Sequence, residues 1–531
     1  MNELVGTRQL VRLALRRDRI VMPIWVLLLG IIPASTAGVY DQLYPDAAGR
    51  AALTAGMAAN PTMSLLYGPA FDLSTAGGFT AWRYGVFLSL FIGLACVFTV
   101  TRHTRQEEDT GRLELLASGV TGRRAPLTAG ILVSGIAALA TGVIMAVGMI
   151  GAHLPAAGSI AFGLATVLTG WIFGGVAAVA AQLTEFSRTA NGIASAVLGA
   201  MFLLRAVGDS ATDIGWLSWL SPIGWASRVR PFSGDHWWVL LLLLAASFVL
   251  YGAAYWLLPR RDLGMGIFPT RPGPAVAAPG LRSPFALAWR LHRGMLIGWV
   301  AGFAVGGVLM GSMVDGIGDL VGDSEQTRQI FERMGGASGL VDAFLAVVAG
   351  MFGMIAALYA VQATLRMRAE ETNVRLEPLL ATRTGRLRWA AGHLVFSLLG
   401  SALLLAVAGT GAGLLHGLRS GDVGGQVAAV LGATMAQLPA VWVVAGLAVA
   451  VFGFLPKYSV LGWSVASLSL ALTLYGPILR LPQAVLDVSP FTHIPKLPGA
   501  TLTATPLLWL TGIAAIALFC GLAGFRRRDI G

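Results

Sequence analysis

The chain has 531 residues, of which 56% are hydrophobic and only 12% are charged. Soluble domains carry roughly twice that charged fraction, and a soluble chain of this length would divide into several domains with polar surfaces, so the composition excludes that class. A formal net charge of +11 would suit a nucleic-acid partner, but the placement of the basic residues excludes that as well, because they concentrate between apolar runs in the alternating pattern of a membrane protein.

The first element is basic. Arg8, Arg12, Arg16 and Arg19 fall within an arc of about 80° on a helix of 3.6 residues per turn. This predicts an amphipathic helix lying on a membrane surface. The basic residues, the apolar run after them and the small residues at 34–38 also outline a signal peptide. The basic segment is long for that role, however, and it recurs in mid-chain, so the segment is expected to be retained.

Apolar runs follow at 20–39, 84–101, 127–152, 159–183, 190–207 and 237–258, and again at 294–314, 344–365, 391–415, 426–454, 459–479 and 507–525. Each is close to the ~20 residues that a helix needs to cross a hydrocarbon core of roughly 30 Å. The expected fold class is an all-α membrane protein of about twelve transmembrane helices, arranged as two tandem six-helix repeats. With the N-terminus inside, roughly 27 of the 37 Lys and Arg residues lie on the cytoplasmic side, which is the positive-inside bias. A multi-pass protein of the inner cell membrane with both termini cytoplasmic is expected.

Between the first two runs, residues 40–83 include Asn60-Pro61 and the stretch Tyr67-Gly68-Pro69-Ala70-Phe71-Asp72. Turn formers mixed with apolar groups fit either an outer cap or a re-entrant segment. The second run leads into a charged loop, 102–124, that contains Glu107, Glu108, Arg112 and Glu114. Glu108 stands four residues before Arg112, the order that suits an i,i+4 ion pair on a short helix. Leu113 and Leu116 supply an apolar face. A docking helix for a cytoplasmic partner is expected. A loop that only fixes topology would account for the arginines but not for the spacing of the glutamates, which recurs below. Arg205 ends the fifth run after Leu203-Leu204, where it either snorkels to the outer interface or flanks an outer gate.

Pro269, Pro272, Pro274 and Pro279 make 265–283 a cytoplasmic linker, since repeated proline removes backbone donors and favours extended chain. It separates a first repeat, 1–264, from a second, 284–531. Four stretches return in order. Leu13-Ala14-x-Arg16-x-x-Arg19 returns as Leu287-Ala288-x-Arg290-x-x-Arg293, predicting a basic surface helix before each half. Arg105-x-Glu107-Glu108-x-x-x-Arg112-Leu113-Glu114 returns as Arg368-x-Glu370-Glu371-x-x-x-Arg375-Leu376-Glu377, with Thr121-Gly122-Arg123 and Thr384-Gly385-Arg386 in the same register. Ser221-Pro222 returns as Ser489-Pro490, and Arg260-Arg261-Asp262-Leu263-Gly264 as Arg527-Arg528-Asp529-Ile530-Gly531. An even number of spans per copy gives both halves one orientation, related by an axis along the membrane normal, with a cavity expected between them. Arg480, after Ile478-Leu479, is the counterpart of Arg205 at the eleventh run.

Cys96 and Cys520 both lie in apolar runs and read as small buried hydrophobes. Neither lysine, Lys457 nor Lys496, follows a Gly-x-x-x-x-Gly, so no phosphate-binding loop is present. No catalytic constellation and no metal-ligand spacing stands out. This chain is expected to hold no cofactor.

The run Glu107-Glu108-x-x-Gly111-Arg112-Leu113-Glu114-Leu115-Leu116 resembles the loop after the second span in ABC exporter permeases of the drug and polyketide class. The doubled layout, the basic helices, the 67–72 stretch and the Arg-Arg-Asp-x-Gly endings resemble one group in particular. These are the actinobacterial polyketide-antibiotic exporter permeases of the tetronasin type and the mycobacterial two-subunit multidrug efflux permeases. The resemblance covers essentially the whole chain. It implies a permease that exports apolar or amphipathic drugs or antibiotics, driven by ATP and Mg bound to a separately encoded ATPase subunit in two copies. It makes Glu107, Glu108, Arg112 and Glu114 one ATPase-coupling helix, and Glu370, Glu371, Arg375 and Glu377 the other. The second copy departs from the pattern, with Val374 in place of Gly111 and Pro378 in place of Leu115, so unequal docking is expected.

Two other classes fit less well. Proton-coupled twelve-span transporters of the major facilitator type end the corresponding loop in Asp-Arg-x-Gly-Arg-Arg. Here Thr121-Gly122-Arg123-Arg124 matches only the tail, and Gly119-Val120 replace the Asp and Arg. A membrane-embedded lipid-linked transferase would need paired carboxylates or a metal motif near an interface, and none is evident.

Overall fold

The computed structural model describes residues 3–59, 61–117, 119, 121–210, 212–268, 273–314, 339–476 and 481–530. Its described residues are helical or irregular, with no strand among them. Apolar chain in a hydrocarbon environment must satisfy its backbone internally, and a helix does so within one segment.

The helices in order are α1 (Thr7–Arg17), α2 (Val21–Leu43), α3 (Ala47–Ala59), α4 (Pro61–Tyr67), α5 (Ala76–His103), α6 (Arg105–Asp109), α7 (Arg112–Ala117), α8 (Ala125–Gly151), α9 (Ala156–Leu183), α10 (Ser187–Ser210), α11 (Pro222–Arg228) and α12 (Trp237–Leu257). They continue as α13 (Pro284–Met313), α14 (Leu340–Thr372), α15 (Leu376–Leu380), α16 (Arg386–Ser420), α17 (Val423–Met435), α18 (Leu438–Phe454), α19 (Leu461–Tyr475), α20 (Gln483–Leu486) and α21 (Ala504–Arg527). The chain forms two compact units, Met1–Gly273 and Pro274–Gly531.

In the first unit α9 is central. Its most apolar stretch is 78% buried, against 28% for α10 and for α12. Phe173 and Ala177 of α9 pack with Val97 and Val100 of α5, Leu198 of α10 and Ala254 of α12. Ile92 and Cys96 meet Ala138 and Met145 of α8 on the other side. In the second unit α14 takes the central place, 72% buried against 22% for α13 and for α21. Met367 and Leu376 pack there with Trp389, Phe452 and Phe525. Helices α13 and α16 approach closely. A Cβ on Gly307 or Gly311 would lie 2.5 or 2.4 Å from the carbonyl oxygen of Ala408 or Ala412, so small residues four apart permit backbone contact, as is common between membrane helices.

Two expectations change. Each of the twelve apolar runs is helical over most of its described residues, but ten helices among the described residues are long and apolar enough to cross a membrane, or eleven if the bent pair Thr7–Arg17 and Val21–Ser35 is one span. The eleventh run yields α19, with 15 residues, or only about 22 Å at 1.5 Å per residue. The two basic segments also differ. In the first unit α1 turns by 76° before the next helix, whereas 287–293 is continuous with the long helix α13 and is not a separate surface helix. Pro23 explains the bend. It offers no N–H to the carbonyl of Arg19 and its ring crowds that carbonyl, and the matching position in the second unit is Ile297.

Candidate functional site

The sequence places its densest chemistry in the two charged loops, and each loop is rooted in a buried ion-pair cluster. In the first unit Arg105, fully buried, donates from Nη1 to Glu108 Oε2 at 2.5 Å, and from its other nitrogens to the carbonyls of Glu185 (2.7 Å) and Gly264 (3.0 Å). Arg261 donates to both Glu108 oxygens, at 2.6 and 2.8 Å, and to Gln182 Oε1 at 2.8 Å. Glu108 thus lies between two guanidinium groups, with its side chain 6% exposed. Arg123 closes the cluster by donating to the Arg261 carbonyl at 2.8 Å.

The second unit makes the corresponding contacts at the matching positions of its own motifs. Glu371 accepts two hydrogen bonds from Arg528, at 2.7 and 2.8 Å, and pairs with Arg368 at 3.2 Å. Arg386 donates to the Arg528 carbonyl at 2.7 Å. The Arg528 guanidinium also lies over the rings of Phe452 and Phe525. Bidentate pairing uses the fixed fork of arginine, which lysine lacks.

The expected pairing of Glu108 with Arg112, and of Glu371 with Arg375, is not what forms. Gly111 adopts φ +69° and Val374 φ +56°, so the chain reverses its helical sense between acid and base and the i,i+4 register is lost. Arg112 lies 3.8 Å from Glu107 instead, and Arg375 lies 3.9 Å from Glu370. Glu107 also pairs with Arg17 at the end of α1, and Glu370 with Arg366 at 2.9 Å. The eight residues therefore divide. Glu107, Glu108, Glu370 and Glu371 are drawn inward, while Arg112, Glu114, Arg375 and Glu377 are exposed. Leu113 and Leu376, both buried, anchor the short helices that carry the exposed set.

Arg205 does not snorkel. It is fully buried, 3.5 Å from Asp209 and within 3.3–3.4 Å of the carbonyl oxygens of Ser64 and Leu66. Asp209 is also 3.5 Å from Arg228. A guanidinium with so many local acceptors has no need to reach an interface. Arg480 lies outside the described residues.

Sequence reasoning missed the partners of the glutamates. Arg261 and Arg528 were visible as parts of a repeated ending, yet nothing along the chain joins position 108 to 261. It also missed a buried cluster at the root of α1, where Asp18 pairs with His103 Nε2 at 2.6 Å and with Arg102 at 3.1 Å. At the matching position of the second unit stands His292, whose Nε2 shares a hydrogen bond with His393 Nδ1 at 2.9 Å.

The family described as "Multidrug efflux system permease Rv1217c, C-terminal domain" matches residues 281–526. The multidrug efflux system permease protein Rv1217c of Mycobacterium tuberculosis (strain ATCC 25618 / H37Rv) is 46% identical over 527 residues, covering 99% of this chain and 95% of the relative. The chain belongs to this family. Membership places the ion-pair clusters in a multi-pass membrane permease, in which a buried carboxylate between two arginines ties a loop to the end of its own unit.

Proposed function

We propose that this chain is the membrane permease subunit of an ATP-driven exporter of apolar or amphipathic drugs or antibiotics. The relative's name, a multidrug efflux system permease, supports a drug-efflux permease. In the finer reading, the chain spans the inner cell membrane twelve times, as two tandem six-helix halves with both termini cytoplasmic. Helix α2 and the short α19 supply the two spans beyond the ten long ones. A separately encoded ABC ATPase, in two copies, holds the ATP and Mg.

One observation carries the coupling reading. Each charged loop presents an exposed pair, Arg112 with Glu114 or Arg375 with Glu377, on a short helix fixed at its root by Glu108 or Glu371. The exposed residues dock the ATPase. The buried glutamates and their arginines pass the displacement to the last segment of each unit. Docking contacts that differ between two arrangements of the halves would let ATP favour one of them, which gives alternating access. Val374 and Pro378 give the second loop a different shape, so the two ATPase contacts are unequal. Arg205 fastens the 64–66 carbonyls at what this topology makes the outer end, where an outer gate would close.

The test is co-expression with the ATPase candidate, purification in lipid, and ATP hydrolysis measured with and without apolar drugs. The informative variants are the exposed Glu114→Lys and Glu377→Lys, since substituting the buried glutamates would confound docking with folding. Drug-responsive hydrolysis that weakens in both variants is expected. If no ATPase co-purifies and efflux from vesicles follows a proton gradient, the reading fails.

A further inference from the structure

Among the described residues of the first unit, the segment joining α11 to α12 holds the densest run of left-handed backbone. Arg230 has φ +51°, Phe232 +64° and Asp235 +40°, with Gly234 at +103° between them. Non-glycine residues in this region cost free energy and persist only where the surroundings over-determine them. Here they do. Phe232 N donates to Asp235 Oδ1 at 2.8 Å, and His236 N to the Val229 carbonyl at 2.7 Å. The Phe232 ring occupies a slot between the first turns of α5 and α9. A Cβ on Gly77 or Gly158 would lie 2.5 or 2.3 Å from that ring.

The strain has one visible product. Arg230 is held with its guanidinium 4.2 Å from the centre of the Phe71 ring, facing a cavity lined by Tyr67, Phe71, Trp82, Phe162 and Arg230 itself. The Arg230 Nε is buried without a hydrogen-bond partner, and no carboxylate pairs with this guanidinium among the described residues. Asp72 also lines the cavity, but its Oδ1 accepts from the backbone and hydroxyl of Ser74. Arg105, Arg205, Arg228 and Arg261 of this unit each have a carboxylate partner. A half-buried cation with no carboxylate partner, its Nε enclosed and its guanidinium backed by an aromatic ring, is poised for an incoming anion.

The cavity measures about 40 Å³, room for roughly three waters at one probe sphere each. That suits a carboxylate or a single phosphate with its first methylenes, not a whole drug. We propose that this cavity binds the anionic head of an amphiphile, with Arg230 on the head and Tyr67, Phe71, Trp82 and Phe162 around the start of the apolar tail. Binding here needs neither ATP nor transport, so it stands or falls apart from the export reading.

The test measures binding of dodecanoate, dodecanamide and dodecylammonium to the full chain in nanodiscs of neutral lipid. Wild type is expected to prefer dodecanoate over the amide on the order of tenfold, as for a hydrogen bond to a charged group. Arg230→Asn removes the charge yet tolerates a left-handed backbone, and should abolish the preference. The exposed Arg83→Gln should keep it. A preference that survives in folded Arg230→Asn, or tighter binding of dodecylammonium by wild type, overturns the proposal. Should Arg230→Asn misfold, a diazirine-bearing dodecanoate on wild type decides. Labels within 67–86 and 226–233 support the site, and labels confined elsewhere refute it. Competition by added phosphatidylglycerol identifies the source as a lipid headgroup, and its absence identifies a soluble amphiphile. Either result keeps the site.

Discussion

Replacing Glu108 with Ala should destabilise the first unit far more than its place in a charged loop suggests. Its side chain is 6% exposed, and its partners Arg105 and Arg261 are 0% and 5% exposed, so water cannot take over either guanidinium. Removing one member of a buried pair costs about 3–5 kcal/mol, because the remaining charge stays buried and unpaired. Arg105 keeps the carbonyls of Glu185, Gly264 and Met265, and Arg261 keeps Gln182. The lower end, about 3 kcal/mol, is therefore expected. Chemical unfolding of the purified chain in lipid, followed by fluorescence, measures it. The control is Glu114→Ala, which should change little because its carboxylate is exposed. Combining Glu108→Leu with Arg261→Met should recover much of the loss, since apolar replacement of a whole buried pair is often nearly neutral. The reasoning is refuted if Glu108→Ala is as stable as Glu114→Ala, or if the double variant loses the sum of the two single losses.

In the second unit, deleting residues 528–531 removes Arg528 from Glu371, and should destabilise the chain as much as Glu371→Ala does, by about 3 kcal/mol in the same unfolding assay. Val374→Gly should raise stability by up to about 1 kcal/mol and Gly111→Val should lower it by about 1–2, because both positions lie at positive φ and only one carries glycine; paired melting curves test the sign. Arg205→Leu should cost about 3 kcal/mol by leaving Asp209 to the less buried Arg228 alone and freeing the Ser64 and Leu66 carbonyls. Limited proteolysis should then cut sooner within 60–70.

Much of the architecture is legible in the residues one after another. Apolar runs of about 20 residues satisfy their backbone as helices in a bilayer, and each such run is helical over most of its described residues. Local chemistry also marks the loops, because ion-pair motifs need only a few neighbouring residues to be recognisable. The bend before α2 follows from Pro23, a residue whose effect reaches only one turn. The length of α19 was less legible, since an apolar run does not show where its helix stops.

Partnership was not legible. Glu108 and Arg112 look like a pair along the chain, yet one left-handed residue at Gly111 separates them, and Glu108 turns instead to Arg261, 153 positions away. Arg205 looks like a snorkelling end group until α4 brings the Ser64 carbonyl against it. Helix formation depends on interactions within a few residues, so the sequence by itself determined which stretches are helical and where the charges between them fall. Which buried charges meet depends on how helices distant in sequence pack side by side, and only the tertiary structure decided that.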